Sequence, residues 1–553
     1  MKNVFCFVLF LVSLCSCSYG QNFNESALKV SMAMNVIQNW YVDTVNTHKL
    51  AEDAIVAMLQ KLDPHSAYMT PEEVKEMNEP LQGNFDGIGI QFNMLTDTLY
   101  VIQVIPGGPS EKVGIMAGDR IIYVNDTLIS GVKKSTSDIM SRLRGPKGTV
   151  VNVKVLRGNN SNLISFKIVR GKIPIYSLDA SYMIDKETGY IKLNRFAETT
   201  FDEFKTALKE LQQKGLQNLI LDLQGNGGGY MHRANEIANE FLQQGSLIVY
   251  TEGVHQHREE THASKKGSFE QGKVVVLIDE SSASASEIVT GALQDWDRAV
   301  VVGRRSFGKG LVQRTQLLPD GSMIKLTTSR YYTPTGRSIQ KPYEKGNLES
   351  YNTEVIQRYN RGEMLSADSI HFPDSLKYNT LVNKRIVYGG GGIMPDYFVP
   401  LDTSLYTDIH RSLVASGVVN KLVMNHIDKN RSSLLKQYQN HFDTYKSNFR
   451  VTESMLNSLL DLFKKENFEL ISFNATASDQ SKEKRTSAQL NSEDMAQFDK
   501  SKSLLQLQIK ALIARDLWNM NEYFQIINEE NNALQKGIEI IENSKEYNKL
   551  LGK

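Results

Sequence analysis

Between residues 172 and 400 the chain alternates short apolar segments with helical ones, and this alternation constrains its fold more than any other feature. The apolar segments have the length of buried strands and occupy 219–223, 274–278 and 299–303. Helical patterns occupy 202–213, 231–243 and 284–294. Strands and helices that alternate in this way form a sheet covered by helices. The sequence therefore predicts an α/β core over residues 172–400, interrupted by a polar, tyrosine-containing insertion at about 341–385.

The segments on either side of this core have different patterns. Residues 24–80 carry apolar side chains at helical spacing, and residues 83–171 form short β-like runs separated by glycines. Residues 401–553 are helical in pattern, apart from a Ser/Asn/Lys/Thr-rich linker at 474–492. We therefore expect a multidomain α+β protein with an N-terminal helical domain, a β module, an α/β core and a helical C-terminal extension.

The first twenty residues resemble an export signal. Lys2 precedes an apolar run from Val4 to Leu14, which is too short to span a bilayer stably. Cleavage after residue 20 would release a soluble protein, whereas a lipoprotein signal over 1–16 would leave a lipid anchor at Cys17. All three cysteines lie in this segment, so the rest of the chain has no disulfides. We expect an exported protein, in a bacterial periplasm or cell envelope.

The net charge of the chain argues against one class of partner. The 63 Lys and Arg residues almost balance the 62 Asp and Glu residues. A near-neutral chain offers no global attraction to nucleic acid, so we expect no nucleic-acid partner. The sequence leaves the oligomeric state open, a homo-oligomer included.

The segment 281–287 follows the apolar strand 274–278 and ends a run of small residues with Glu287. A side chain at this place would lie at the carboxyl edge of the sheet, where ligands of α/β proteins bind. Ser284 and Glu287 also fit a helix capping box. A plain helix cap is thus the alternative to a catalytic serine. The two interpretations are compatible, because the free N–H of Ala285 at the helix start could stabilise an oxyanion.

A second segment, Ser306 to Gln313, makes the pattern specific. Together with the serine segment it resembles the C-terminal processing peptidases, or tail-specific proteases, a serine peptidase family with a serine–lysine dyad. Further matches occur in the family's order at residues 62–68, 87–90, 222–229, 331–339 and 392–396. The resemblance implies a serine endopeptidase that needs neither a metal nor an organic cofactor.

The resemblance makes Ser284 the nucleophile, Lys309 the general base and Gln313 the residue that orients the lysine amine. A serine hydroxyl needs a neighbouring base, and a lysine with an ordinary pKa near 10.4 is protonated at neutral pH. A mostly apolar environment lowers a lysine pKa because it disfavours the charged form. Side chains that could provide this environment are Phe307, Leu311 and Val312.

Several further positions follow from the same resemblance. The oxyanion hole would combine the N–H of Ala285 with that of Gly228 or Gly229. Asp295 matches an aspartate that matters in some members, although here we expect a structural acid at a helix end. Gln224 departs from the family, which usually has arginine at this position, so a charge partner there is in doubt.

The β module 83–171 resembles a PDZ domain. Its loop Gly87, Ile88, Gly89 and Ile90 would present N–H groups to the terminal carboxylate of a substrate that adds a strand to the sheet edge. Ile139 and Leu143 would line the pocket for the last side chain, with simple core packing as an equal alternative for both (helix 136–143). The resemblance implies substrates that are peptides or unfolded proteins with an apolar C-terminus.

Three rival interpretations remain. Residues 303–309 match the GxxxxGK of a phosphate-binding loop, but Gly310 replaces the required Ser/Thr, and a strand rather than a helix is expected to follow. A metal site at His255, His257 and His262 is opposed by the many charged neighbours of a solvated loop. The third alternative is a catalytically silent scaffold that only holds peptides.

Overall fold

The computed structural model describes residues 25–95, 97–158, 161–438, 440–471 and 485–553. The predicted signal segment and most of the predicted linker lie outside these residues. One compact unit comprises residues 25–71, 313–327 and 343–351, and a second contains the other described residues. In the described part of the chain, no helix has the length and apolar character needed to cross a membrane.

The α-helices of the described residues are, in chain order, Glu25–Trp40 (α1), Thr47–Gln60 (α2), Pro71–Gln82 (α3), Pro109–Lys112 (α4), Thr136–Leu143 (α5), Thr200–Gln213 (α6), Met231–Asn239 (α7), Ala285–Asp295 (α8), Leu348–Asn360 (α9), Asp408–Ala415 (α10), Val418–Tyr438 (α11), Phe442–Asn448 (α12), Glu453–Glu466 (α13), Ser492–Leu517 (α14), Met520–Ile527 (α15), Asn532–Glu542 (α16) and Ser544–Leu550 (α17).

The strands of the described residues are, in chain order, Ala67–Met69 (β1), Asn84–Gly87 (β2), Ile90–Leu95 (β3), Thr98–Val104 (β4), Arg120–Val124 (β5), Thr127–Leu128 (β6), Val150–Leu156 (β7), Ile164–Val169 (β8), Gly171–Pro174 (β9), Leu178–Met183 (β10), Thr188–Leu193 (β11), Asn218–Asp222 (β12), Leu247–Gly253 (β13), Gln256–His262 (β14), Val274–Ile278 (β15), Val300–Gly303 (β16), Leu311–Leu317 (β17), Met323–Tyr332 (β18), Lys377–Asn379 (β19), Ile386–Tyr388 (β20) and Tyr397–Phe398 (β21).

The first unit is built from the N-terminal helices and a short antiparallel pairing. Helix α2 begins where the side chain of Asn46 accepts the N–H of Lys49, which satisfies one of the free donors of its first turn. Strand β1 then pairs with the start of β18, with Ala67 opposite Lys325. Helix α1 has no buried residue. The helical N-terminal domain expected from the sequence is therefore confirmed.

The β module forms its own sheet in the order β3-β4-β5-β7-β8, with β6 added to β5. Its strands alternate buried and exposed side chains, as in β7, so that one face builds a separate apolar core. Strand β3 is at the edge of this sheet, and β2 and β9 pair at its start and end. An edge strand leaves backbone groups available for an added peptide strand.

The peptidase-like core is a sheet in the order β10-β11-β12-β15-β16-β21. Only β10 is antiparallel to its neighbour, and the strands from β11 to β21 run parallel. Strand β15 is buried along its whole length, which explains its continuous run of Val, Leu and Ile. The apolar faces of α6, α7 and α8 cover one side of the sheet. The predicted α/β core is therefore confirmed, and its parallel strands end together at one edge.

The region 341–385, which the sequence predicts as an insertion or long loop, contains regular structure. Helix α9 and the antiparallel pair β19–β20 lie within it. The pattern is weak because the helix carries polar residues on most of its surface.

The C-terminal region 401–553 is helical, as predicted, but it does not pack as one extension. Helices α10 to α15 share an apolar cluster of their own. Helices α16 and α17 instead cover the second face of the core sheet, where Leu534, Ile540 and Tyr547 pack on Ile220, Val275 and Leu277. The end of the chain is thus a structural layer of the core.

The close fit of α16 on the sheet gives a test of this layer. A Cβ atom on Gly537 would lie 3.3 Å from side-chain atoms of both Val275 and Leu277. We expect Gly537→Leu to overpack this contact and to lower the free energy of unfolding by roughly 1–3 kcal/mol. Urea unfolding is the measurement, with Glu542→Leu at an exposed position of the same helix as control. Equal midpoints for the two variants would contradict the packing described here.

Candidate active site

Ser284 lies between the end of β15 and the start of α8, and its backbone has an unusual conformation. Its φ of 54° and ψ of −111° place a residue with a side chain in the left-handed region. Such a conformation costs free energy and persists only where the surroundings enforce it, which is common at functional sites. The strained turn leaves the serine half-buried at the carboxyl edge of the parallel sheet.

The carboxylate of Glu287, one turn into α8, connects the Ser284 and Lys309 segments. The N–H of Ser284 and the N–H of Lys309 both donate to its Oε2, at 2.8 and 2.9 Å. Its Oε1 accepts the N–H of Gly308 at 2.7 Å and the hydroxyl of Ser306 at 2.6 Å. The predicted capping box described only the local bond to Ser284, whereas the same carboxylate holds the lysine loop beside the serine.

A second bridge comes from Tyr331, which is buried near the end of β18. Its hydroxyl is 3.2 Å from the carbonyl oxygen of Ser284 and also donates to the carbonyl oxygen of Lys309. Its backbone N–H donates to Gly310 at 3.0 Å. Glu287 thus binds N–H groups and Tyr331 binds carbonyl groups of the same two segments, which fixes their relative position.

Burial changes the ionisation of Glu287. Its side chain is 1% exposed, and burial raises its pKa to about 7, although the four donors favour the carboxylate form. The arrangement of four donors around two oxygens requires an ionised carboxylate, since a protonated oxygen would face N–H groups. The complete set of bonds is therefore present above pH 7 and is lost as the pH falls through 7.

The glycine loop after β12 lies against the serine. A Cβ atom on Gly228 would be 2.8 Å from Ser284 Cβ and 3.0 Å from the backbone nitrogen of Ala285. The φ of Gly228 is +100°, so a side chain is excluded by both space and conformation. Buried Asn226 fixes the loop, because its carbonyl oxygen accepts the N–H of Ala283 and the hydroxyl of Ser286.

The two candidate glycines of the oxyanion hole differ. The N–H of Gly228 donates to the side-chain oxygen of Asn226 at 2.9 Å, so this donor is already engaged. Gly229 follows with a φ of +144°, and the next N–H, that of Tyr230, donates to Phe196. Of the two predicted alternatives, Gly229 is therefore the better partner for Ala285.

Gln224 does not leave its neighbourhood without a cation. The side chain of Lys192, from β11, donates to the carboxylate of Asp222 at 3.1 Å and to the carbonyl oxygen of Gln224 at 3.0 Å. The hydroxyl of Tyr190 donates to the same carboxylate oxygen at 2.6 Å. The side chain of Gln224 instead accepts the amide N–H of Asn531. A lysine on the neighbouring strand thus supplies the charge partner that the sequence left in doubt.

Asp295 is the last residue of α8, and its surroundings are structural. Its carboxylate is fully buried and lies 2.7 Å from the guanidinium of Arg337, which is equally buried. It also accepts the N–H and the hydroxyl of Thr335. This ion pair connects the end of the helix to the segment that follows Tyr331.

Gln313 belongs to the first compact unit, whereas Ser284 and Lys309 belong to the second. The side-chain N–H of Gln313 donates to the hydroxyl of Thr327 at 3.2 Å, and that hydroxyl donates to Asp63 at 2.9 Å. Asp63 is part of the matched segment 62–68. The structure therefore gives this motif a role in supporting the side chain of Gln313.

The proposed carboxylate loop of the β module is shaped by glycine. Gly89 has a φ of +77°, and a Cβ there would lie 3.0 Å from Ile173. The carbonyl oxygens of Ile88 and Gly89 accept N–H groups from Ser110 and Ile105, which fixes the loop. Gly87 ends β2 and Ile90 begins the edge strand β3.

The two residues predicted for the peptide pocket, Ile139 and Leu143, are buried in the apolar core of the module. The structure therefore places both side chains in the core packing that the sequence left as an equal alternative. Ile90, which is only partly buried against that core, remains the apolar side chain closest to the edge.

The rival motifs lack the required surroundings. Residues 303–309 lead into strand β17, whereas a phosphate-binding loop leads into a helix. His257 and His262 lie on the exposed strand β14, and His255 lies in the turn before it. Among the residues that the structure describes, no group of three His, Cys, Asp or Glu side chains could hold a metal ion.

Comparison with known families agrees with this division of the chain. Residues 187–346 match peptidase family S41, and residues 87–168 match the PDZ domain. Residues 16–73 match the N-terminal domain of the activating protease CtpB, and residues 409–519 match a family of unknown function.

Individual relatives carry the same description. A carboxy-terminal-processing protease of Bartonella bacilliformis is 38% identical over 309 residues, which are 55% of this chain and 70% of the relative. The carboxy-terminal processing protease CtpB of Bacillus subtilis is 36% identical over 57% of this chain and 65% of its own length. The solved photosystem II D1 C-terminal processing protease is 28% identical with a TM-score of 0.32, over 56% of this chain and 89% of that one.

The contact between Gly228 and Ser284 gives a second test. We expect Gly228→Ala to lower kcat by about 10²-fold or more, because the added methyl group displaces the serine and the oxyanion donors. Gly227→Ala is the matched control, since a Cβ atom on Gly227 has no neighbour within 4 Å. Steady-state hydrolysis of an unfolded polypeptide measures the effect. Similar kcat values for the two variants would contradict the proposed geometry.

Proposed function

Because this chain belongs to peptidase family S41 and is a carboxy-terminal processing serine protease, we propose that Ser284 is its nucleophile and Lys309 its general base. The observation that carries this proposal is the shared Glu287 carboxylate, which accepts one N–H from each of the two residues. Tyr331 supports the same pairing through their carbonyl groups. The two segments that must meet for catalysis are thus held together by named bonds.

The chemistry follows from this arrangement. The neutral amine of Lys309 takes the proton of the Ser284 hydroxyl as Oγ attacks the carbonyl carbon of the peptide bond. The negative charge on the carbonyl oxygen is stabilised by the N–H groups of Ala285 and Gly229. The peptide C–N bond breaks as the lysine returns the proton to the leaving amine. Water then hydrolyses the acyl-enzyme, again with Lys309 as base, and restores the serine.

The reaction requires Lys309 to be neutral when it acts. Leu311 is buried directly after the lysine loop, and Lys309 itself is half-buried. Such surroundings disfavour the charged form of a lysine. Gln313, four residues further along the chain, is proposed to orient the lysine amine.

Recognition is assigned to the PDZ domain. A terminal carboxylate would bind the N–H groups of the loop 87–90, and the substrate backbone would add to the exposed edge of β3. Ile90 at the start of this strand favours an apolar last residue. The substrates proposed are therefore peptides or unfolded proteins with an apolar C-terminus.

The place of action is proposed from the N-terminal sequence alone. Lys2 and the apolar run Val4–Leu14 support export to a bacterial periplasm or cell envelope. Processing after residue 20 would give a soluble enzyme, and processing before Cys17 a lipid-anchored one.

One experiment tests both catalysis and recognition. A model peptide with a free apolar C-terminus and the same peptide as its amide are incubated with the wild type, Ser284→Ala and Lys309→Ala. We expect the wild type to cleave the free acid faster than the amide, because only the acid offers a carboxylate to the PDZ loop. Both variants should lose cleavage, since each removes one half of a unit that works together.

The outcomes separate the alternatives. Ser284→Ala should still bind the free acid, as measured by fluorescence anisotropy. Binding without cleavage by the wild type would favour a silent scaffold. Retained activity of Lys309→Ala would remove the dyad, and equal cleavage of the acid and the amide would remove the reading of the terminal carboxylate.

A further inference from the structure

The lysine loop is also contacted by a residue outside the segment that matches the peptidase family. That match ends at residue 346, and Arg358 lies twelve residues later, near the end of α9. Its guanidinium donates to the carbonyl oxygen of Arg305 at 2.7 Å and to that of Ser306 at 3.0 Å. These two carbonyl groups lie three and four residues before Lys309.

Arg358 is buried, and its charge is balanced nearby. Its side chain is 2% exposed, and burial lowers its pKa to about 10, so that it remains a cation at neutral pH. The carboxylate of Glu363 lies 3.6 Å from its Nε and also pairs with Arg305 and Arg361. A buried cation is costly unless such partners and acceptors surround it. The site is thus a built arrangement rather than a solvated surface arginine.

The loop 305–309 is therefore held from two sides. Glu287 accepts the hydroxyl of Ser306 and the N–H groups of Gly308 and Lys309. Arg358 binds the carbonyl groups at the start of the same loop. An anion fixes the donors of the loop and a cation fixes its acceptors.

We propose that Arg358 is a positioning residue for Lys309: its two hydrogen bonds hold the loop 305–309 so that the lysine amine reaches the hydroxyl of Ser284. The planar guanidinium can reach two carbonyl groups at once, whereas a lysine ammonium lacks this fixed fork. The region predicted as an insertion thereby becomes part of the catalytic architecture. This inference rests on the proposed function, because it requires Lys309 to be the base.

Arg361 provides a matched control. It is 52% exposed and pairs with the same Glu363 at 2.8 Å, and its hydrogen bond in the structure is to that carboxylate. Replacing it removes a positive charge from the same cluster without touching the carbonyl groups of Arg305 and Ser306. The variants to compare are Arg358→Gln, Arg358→Lys and Arg361→Gln.

The measurement is steady-state peptide hydrolysis over a range of pH, with the folded fraction of each variant determined by thermal unfolding. We expect Arg358→Gln to lower kcat at least tenfold per folded molecule while KM changes less than twofold. The limb of the kcat profile that reports the free amine should move to higher pH, because a displaced lysine recovers a more ordinary pKa. Arg361→Gln should match the wild type within twofold.

Arg358→Lys separates geometry from charge. It keeps the cation, so a purely electrostatic role predicts a wild-type profile, whereas a positioning role predicts a partial loss of kcat and a shifted limb. A wild-type kcat and limb in folded Arg358→Gln and Arg358→Lys would overturn the inference, as would a loss explained entirely by the unfolded fraction. An inactive wild type would instead contradict the proposed function.

Discussion

The carboxylate of Glu287 is the interaction on which the rest of the site depends. It accepts N–H groups from Ser284, Gly308 and Lys309 and the hydroxyl of Ser306, so that two segments far apart in sequence meet at one buried group. Burial raises its pKa to about 7, whereas an exposed glutamate has a pKa near 4.3. Stability and organisation therefore respond to pH in opposite directions. Ionisation between these values costs folding free energy, but it completes the acceptor set.

The fold brings these groups together at the carboxyl edge of one parallel sheet. Strand β12 leads into the glycine loop, β15 into the serine turn, and β16 into the lysine loop. The sheet can place them accurately because both of its faces are covered. Helices α6, α7 and α8 cover one face and α16 and α17 the other. The last residues of the chain thus support the site without contributing a reactive group.

Much of this could be predicted from the sequence, because strand–helix alternation and short motifs are local signals. The sheet, the β module and the serine turn all follow from such patterns. Contacts between distant segments could not be predicted in the same way. Asn226 engages the N–H of Gly228, Lys192 replaces the usual arginine as the partner of Asp222, and Arg358 reaches the lysine loop from a polar helix. None of these pairings has a spacing rule, since each depends on how the chain folds back.

The most direct test of the account is the pH dependence of kcat/KM for the wild type and for Glu287→Gln. The amide has the same shape but presents an NH₂ group to N–H donors and cannot ionise. The account predicts that wild-type kcat/KM falls as the pH drops through about 7, with the loss of the carboxylate. In Glu287→Gln this component should be absent and the plateau at least tenfold lower. A variant with the wild-type plateau and profile would show that Glu287 does not hold Ser284 and Lys309 together.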